Sequence, residues 1–340
     1  MDNRRSWMAR EIYATPAVVE RQKDGLSGSL HDLLVRLRRR PPEIMVTCAR
    51  GSSAHAATFG KHLIERYLGL PVAAAAPNIA SVYKLSLRLR GQLVLTISQS
   101  GRSDDLISYA TSARKSGALT VAITNDAGSP LAKACDIPLP IGAGPEHSIA
   151  ATKTFVATAV TLMRLAAAWA GDAALHAAIC RLPARLKLAS ALEWGPAAEV
   201  LCNVTQLATI GRGPTLAIAR EAALKLKEVC NLHTEAFSAA EFLHGPIALV
   251  EPRYPVLMFV PGDAAAHGMR ELARDLSGRK AALLVADAVA GGLPVLRADQ
   301  PETDALCLVQ SFYAMLLTLA DRLDIDVDKP RNLQKITRTT

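Results

Sequence analysis

The chain has 340 residues, half of them hydrophobic, which suffices for two ordinary globular domains that each bury a core. No apolar run reaches the ~20 residues of a bilayer-spanning helix, and the richest, Phe155 to Ala170, is broken by Arg164 and reads as a buried helix, so no membrane partner is expected. The formal net charge of +8 is spread along the chain with few aromatics among the basic residues, which argues against a nucleic-acid partner.

In chain order, residues 1–30 read as an N-terminal helical arm, with Thr15-Pro16 as a helix start. Its beginning, Met1 to Arg10, is positively charged but lacks a following apolar segment, so a cleaved signal peptide is not expected and the chain is read as cytoplasmic. The densest basic cluster, Arg36, Arg38, Arg39 and Arg40, closes a helical pattern, where cations suit the helix dipole. A first series of elements then runs Ile44–Cys48 as a strand, a helix from about Ser53 to Tyr67, the strand Leu93–Ile97, a helix near Asp104–Ser116, and the strand Leu119–Thr124. A second series begins at Leu207–Ile210, with a helix from Thr215 to about Val229, the strand Val256–Val260, a helix around Ala265–Leu276, and the strand Ala282–Ala286. This alternation is the pattern of an α/β fold with mainly parallel sheets.

The two series match in order and spacing, each with a Gly-bearing turn after its first strand, Arg50-Gly51-Ser52-Ser53 or Gly211-Arg212-Gly213-Pro214. They read as a duplicated domain. The first domain is placed at 31–170 and the second at 195–325. An Ala-rich helical stretch, roughly Ala166 to Glu193 and bounded at 171–194, connects them, and 326–340 form a tail. Cys48, Cys135, Cys180, Cys202, Cys230 and Cys307 are scattered, with no close pair and no matching His spacing. That argues against a zinc site or a disulfide framework and for reduced, mostly core thiols.

Ligands of open parallel sheets bind beyond the carboxyl ends of strands. Ser98-Gln99-Ser100-Gly101-Arg102-Ser103 follows the strand Leu93–Ile97 and opens a helix. Backbone N–H groups at such a start, with serine hydroxyls and a glycine that lets the backbone approach closely, suit a phosphate dianion. The competing explanation is that Ser103 caps the helix, but three serines and a glutamine exceed what capping needs. Ser52 and Ser53 would add hydroxyls to the same crevice, and Arg102 either strengthens the anion field or faces solvent.

In the second series Glu221, Lys225 and Glu228 fall at i, i+4 and i+7 on one helical face. Such a stripe is ordinarily solvated, with a Glu-to-Lys pair worth a few tenths of a kcal/mol. The segment beyond, Glu241-Phe242-Leu243-His244-Gly245-Pro246, reads as a polar turn carrying a histidine. A carboxylate and a histidine held where water is limited are the equipment of proton transfer. His55, His62 and His233 fall in helical or helix-end patterns and read as structural.

At these residues the sequence resembles the sugar isomerase (SIS) domain family, specifically the isomerase half of glutamine–fructose-6-phosphate amidotransferase and the stand-alone glucosamine-6-phosphate deaminases. The likeness runs from Glu11-Ile12-Tyr13 to Asp326-Val327-Asp328-Lys329-Pro330-Arg331-Asn332-Leu333-Gln334-Lys335, and is carried by Ser98-Gln99-Ser100-Gly101, Ala151-Thr152-Lys153, Ala223-Leu224-Lys225-Leu226-Lys227-Glu228, His244-Gly245-Pro246 and Pro330-Arg331-Asn332-Leu333. It implies two tandem SIS domains, each a parallel sheet flanked by helices in a flavodoxin-like sandwich, in a homodimer with active sites near the subunit interface. By the family pattern Ser52, Ser53, Ser98, Gln99, Ser100 and Ser103 hold the 6-phosphate of a hexose, and Glu228 shuttles a proton between C1 and C2. His244, from the same or the partner subunit, opens the ring. Glu221 and Lys225 support the carboxylate and the sugar hydroxyls, Ile149 and Ala151 lie against the sugar, and Lys335 contacts the open-chain form and can form a Schiff base with a ketose. A tail folded over the site would also exclude water.

Two departures separate the chain from the synthase type: Ala151 stands where that type has a serine, and Gly101 is followed by Arg102-Ser103 where that type has Glu-Thr. Nor is there a glutaminase segment, or a cysteine near the start to act as its nucleophile, so channelled ammonia is not expected. The leading expectation is deamination of glucosamine 6-phosphate to fructose 6-phosphate and ammonia, with no metal or organic cofactor. An aldose–ketose isomerase or a deglycase on a related sugar phosphate is the nearest alternative. A sugar-phosphate sensor is the alternative of another class, for which the short N-terminal arm leaves little room for a helix-turn-helix.

Overall fold

The apolar runs become parallel strands, and the two series become two separate sheets. The computed structural model describes residues 3–289 and 291–335; the last five residues of the expected tail lie outside the described residues. The chain divides into two compact units. One comprises Ala17–Glu146, Lys153–Ile179 and Gln334–Thr340, the other Met1–Pro16, His147–Thr152 and Cys180–Leu333.

In chain order the elements begin with α1 (Trp7–Arg39), β1 (Met45–Ala49), α2 (Gly51–Leu68), β2 (Val72–Ala74), α3 (Asn78–Ser81), β3 (Leu93–Ile97), α4 (Asp104–Lys115), β4 (Leu119–Thr124), α5 (Pro130–Ala134), β5 (Ile137–Pro140), α6 (Lys153–Ala170) and α7 (Ala173–Ala189). The first unit's sheet has the order β2-β1-β3-β4-β5, every pairing parallel. β3 is buried at all five positions, which is why it reads as an apolar run interrupted only by Thr96. Val46, Cys48 and Val94 pack under Leu106, Tyr109 and Ala113 of α4. On the other side α6 lies against α2, at Gly60, where an added Cβ would stand 3.0 Å from Leu162. Gln22 is buried in this unit and donates to the Ile141 and Ala157 carbonyls at 2.8 and 2.7 Å. That ties α1 to α6 and to the end of β5.

The second unit continues with α8 (Gly195–Leu201), β6 (Gln206–Gly211), α9 (Pro214–Cys230), β7 (His233–Ser238), α10 (Ala239–Leu243), β8 (Pro255–Phe259), α11 (Ala266–Gly278), β9 (Ala282–Ala286) and α12 (Pro301–Arg322). Its sheet has the order β7-β6-β8-β9, again all parallel. Helix α12 is long and apolar enough to cross a bilayer by length and composition, and most of it is buried inside its unit. Four of the cysteines, Cys48, Cys135, Cys230 and Cys307, are buried, and burial pushes their thiols up to about 12.

Three local expectations are corrected. The helix expected to start at Thr15-Pro16 begins at Trp7 and runs through Pro16. Ser6 Oγ and Asp328 take up its first N–H groups, Ala9 on Ser6 at 3.0 Å and Trp7 and Met8 on Asp328 at 2.7 and 3.1 Å. Pro16 cannot bond the Ile12 carbonyl, and Gln310 of α12 does so in its place at 2.8 Å. His233 does not lie in a helical or helix-end pattern but opens the edge strand β7, exposed. The segment from Glu241 is not a plain turn: Ser238 and Glu241 form a capping box at the start of α10, an arrangement that satisfies two orphan N–H groups reciprocally.

Candidate functional site

In the five-stranded unit the strand order reverses direction between β1 and β3, and in open parallel sheets such a switch point is where ligands bind. Both serine-bearing segments emerge there. The one after β1 is not a turn, because α2 starts at Gly51 and places Ser52 and Ser53, both half-buried, in its first helical turn. The one after β3 is folded on itself: Ser98 Oγ accepts from the Gly101 N–H at 3.2 Å and Ser100 Oγ from the Arg102 N–H at 3.3 Å. The Gln99 carbonyl accepts from the Asn125 N–H at 3.1 Å, which fastens the loop to the end of β4. Ser103 occupies the N-cap of α4 but makes no side-chain bond to that helix, so capping does not explain a serine at this position. Arg102 pairs with Asp126 at 3.2 Å near the surface.

A charge pair that local sequence patterns gave no sign of joins these segments. Arg50 Nη2 lies 3.0 Å from Asp105 Oδ2, the guanidinium 52% exposed and the carboxylate 4%. Asp105 Oδ1 also accepts from the Leu106 N–H at 2.9 Å. In the same unit Glu146 is buried and accepts from Thr154 N–H at 3.1 Å and Thr154 Oγ1 at 2.6 Å. Lys335 Nζ stands 3.8 Å from that carboxylate, and the Lys153 ammonium donates to the Pro145 carbonyl.

In the four-stranded unit the Glu221, Lys225 and Glu228 face of α9 is not a solvated stripe. The side chains of Lys225 and Glu221 are 1% and 0% exposed, while that of Glu228 is 23% exposed. Lys225 Nζ is 2.5 Å from Glu228 Oε2 and 3.5 Å from Glu221 Oε1, and the Tyr313 hydroxyl of α12 donates to Glu221 at 3.0 Å. A buried ammonium is tolerable only when paired and hydrogen-bonded. Here two carboxylates meet it, and the more accessible one has its orientation fixed. His244 caps the C-terminal end of α10 with its N–H donating to the Glu241 carbonyl at 3.0 Å, and its side chain is exposed. Ile149 and Ala151 are half-buried in an irregular segment that Glu11 anchors by accepting from the His147 and Ser148 N–H groups. Among the described residues no group of three or more His, Cys, Asp or Glu side chains could hold a metal ion.

Sequence reasoning gave no role to Arg50, Asp105, Glu146 or Tyr313. Glu11 enters the sequence pattern only through the family likeness. The Arg50–Asp105, Tyr313–Glu221 and Glu11–His147 contacts join segments distant in the chain, for which a local pattern carries no signal.

Two doubly wound sheets, with serine-bearing segments at one switch point and a buried carboxylate–lysine cluster in the other unit, define the class of protein. The family model for the SIS domain matches residues 41–168 and 201–291, so each series of elements has its own match. The chain belongs to the SIS domain family. Among solved structures, a provisionally designated phosphosugar isomerase from Silicibacter pomeroyi DSS-3 is 43% identical, covering 95% of this chain and 99% of that one with a TM-score of 0.90. A glucosamine-6-phosphate deaminase from Thermotoga maritima shares the fold at 23% identity and a TM-score of 0.75, over 98% of this chain and 100% of that one. Among curated proteins, the glutamine–fructose-6-phosphate aminotransferase (isomerizing) of Aquifex aeolicus (strain VF5) is 29% identical over 97% of this chain and 57% of its own length. The chain spans about half the length of the curated relatives it matches.

Proposed function

We propose that the protein converts glucosamine 6-phosphate and water to fructose 6-phosphate and ammonia. The observation that carries this reading is the α9 cluster, in which Glu228 is the one member with appreciable exposure and is held by a buried lysine. A carboxylate so oriented, and still accessible, suits repeated transfer of one proton.

In this reading the 6-phosphate is taken by Ser52, Ser53, Ser98, Gln99, Ser100 and Ser103. His244 assists ring opening, and its exposure fits donation to a partner copy in a homodimer. Glu228 removes the C2 proton of the open-chain aldehyde, giving an enolamine, and returns a proton to C1, giving the C2 imine. Water adds to that imine and ammonia leaves, so atoms and charge balance with no external oxidant or reductant. Lys335 contacts the open chain, and Ile149 and Ala151 bound the sugar. The relative in Silicibacter pomeroyi supports phosphosugar chemistry over nearly the whole chain, and the Ala151 and Arg102-Ser103 departures favour deamination over glutamine-dependent synthesis. The same likeness gives the second reading, an aldose–ketose isomerase acting on a sugar phosphate without an amine.

The test is to incubate purified protein with glucosamine 6-phosphate and follow ammonia and fructose 6-phosphate together. Equal release of both, reduced roughly a hundredfold or more by Glu228→Gln, is the expected result. Release of neither, with interconversion of an aldose and a ketose phosphate, would establish the second reading. Tight binding of sugar phosphates with no turnover at all would make the protein a sensor.

A further inference from the structure

The Arg50–Asp105 pair plays no part in the reading above, yet it lies between the segments assigned to phosphate. Arg50 leaves the end of β1 and immediately precedes α2, whose first turn holds Ser52 and Ser53. Asp105 is the second residue of α4, two places after Ser103. Because β1 and β3 are neighbouring strands, the pair spans the switch point from one segment to the other. Its two halves are unequal, with a buried carboxylate and a half-exposed guanidinium.

A buried carboxylate beside a phosphate dianion is a liability, since like charges repel more strongly where water is scarce. Asp105 has a role of its own at the start of α4, where negative charge suits the helix dipole. The neighbourhood offers it little else. Below it Cys48 and Tyr109 are buried, with burial holding both protons on up to about 12, and the Tyr109 hydroxyl has no hydrogen-bond partner among the described residues. Arg50 stands 3.0 Å from Asp105 Oδ2 as an ion pair rather than a hydrogen bond, and that oxygen has no hydrogen-bond partner among the described residues.

We infer that Arg50 is a positioning residue of the phosphate site, acting through Asp105: it cancels the field of that carboxylate, so that the serine hydroxyls and helix N-termini face the substrate without a competing negative charge. This rests on the reading of Ser52, Ser53 and Ser98–Ser103 as the phosphate-binding segments.

The experiment measures calorimetric binding of inorganic phosphate and of fructose 6-phosphate to wild type, Arg50→Gln, Arg50→Lys, Asp105→Asn and the Arg50→Gln/Asp105→Asn double variant, with thermal unfolding of each. Arg50→Gln should weaken both ligands roughly tenfold or more, since it leaves a buried carboxylate without its partner. Arg50→Lys should keep most of the affinity, and the double variant should recover most of what Arg50→Gln loses. In turnover the loss should fall on KM, with kcat within about twofold. Unchanged binding by Arg50→Gln overturns the inference. So does a double variant no better than Arg50→Gln, the result for an arginine that grips the phosphate itself or only braces the fold. A wild type that binds neither ligand refutes the phosphate reading, and the positioning role falls with it.

Discussion

At Gly101 two demands meet on one residue. Its φ is +63° and an added Cβ would stand 2.2 Å from Ser129 Oγ, so both the backbone and the packing exclude a side chain. Gly101→Ala is expected to cost at least about 2 kcal/mol and to abolish phosphate binding, read by thermal melts and by titration with inorganic phosphate. The loop around it stood out in the sequence because its signal is local: serines, a glycine and a helix start lie in consecutive positions. The α9 cluster was legible only in part. Its spacing put Glu221, Lys225 and Glu228 on one face, but that face reads as solvated until Tyr313, 92 residues away, is seen to bond Glu221. Burial was the missing information, and it comes from α12, which the sequence reading did not single out.

Elements divide along the same line. Strands at the centre of each sheet are buried on both faces and read as apolar runs, so Leu93–Ile97 and Leu119–Thr124 were placed with their observed bounds. Of the edges, β2, β5 and β7 were not placed, whereas β9, also an edge, was placed with its observed bounds Ala282–Ala286. β2 has three residues, β5 is Ile137-Pro138-Leu139-Pro140, and β7 carries His233, Glu235 and Ser238, compositions an edge tolerates because one side of its backbone needs no ladder partner. Pro16 misled for a related reason, since a helix can carry an internal proline when another group takes the stranded carbonyl. Gln310 does this for Ile12, and its amide also donates to Ser190 Oγ at 2.9 Å. Gln310→Leu should therefore cost about 1–3 kcal/mol at little change in volume, measured by denaturant unfolding. The companion change Pro16→Ala, which restores the backbone donor, should make the Gln310 substitution less damaging.

For the molecule as a whole, stability should carry a pH signature from Asp304. Its carboxylate meets Arg185 at 2.6 Å, yet burial outweighs that attraction and raises it to about 6. The folded chain thus holds this proton more tightly than the unfolded chain does. The stabilising contribution is complete below about pH 4 and lost as pH rises through about 6, by at most about 3 kcal/mol. Asp287 works in the opposite sense, since its hydrogen bonds from Arg270 hold its carboxyl below the usual range, and its contribution is lost as pH falls. Melting temperatures across this range, compared between wild type and Asp304→Asn, isolate the first effect: the variant should lose the decline between about pH 4 and 6.

Residues 3–12 bond residues 310–328 within the four-stranded unit: Asn3 bonds Asp321 and Ile325, Ile12 bonds Gln310, and Trp7 and Met8 bond Asp328. Synthesis on the ribosome runs from the N-terminus at several residues per second. Residues 3–16 therefore emerge long before the partners at 310–328 exist. Ala17–Glu146 and Lys153–Ile179, nearly all of the five-stranded unit, are complete when about half of the chain has been made. The earliest of these residues to be translated are among the last to be buried.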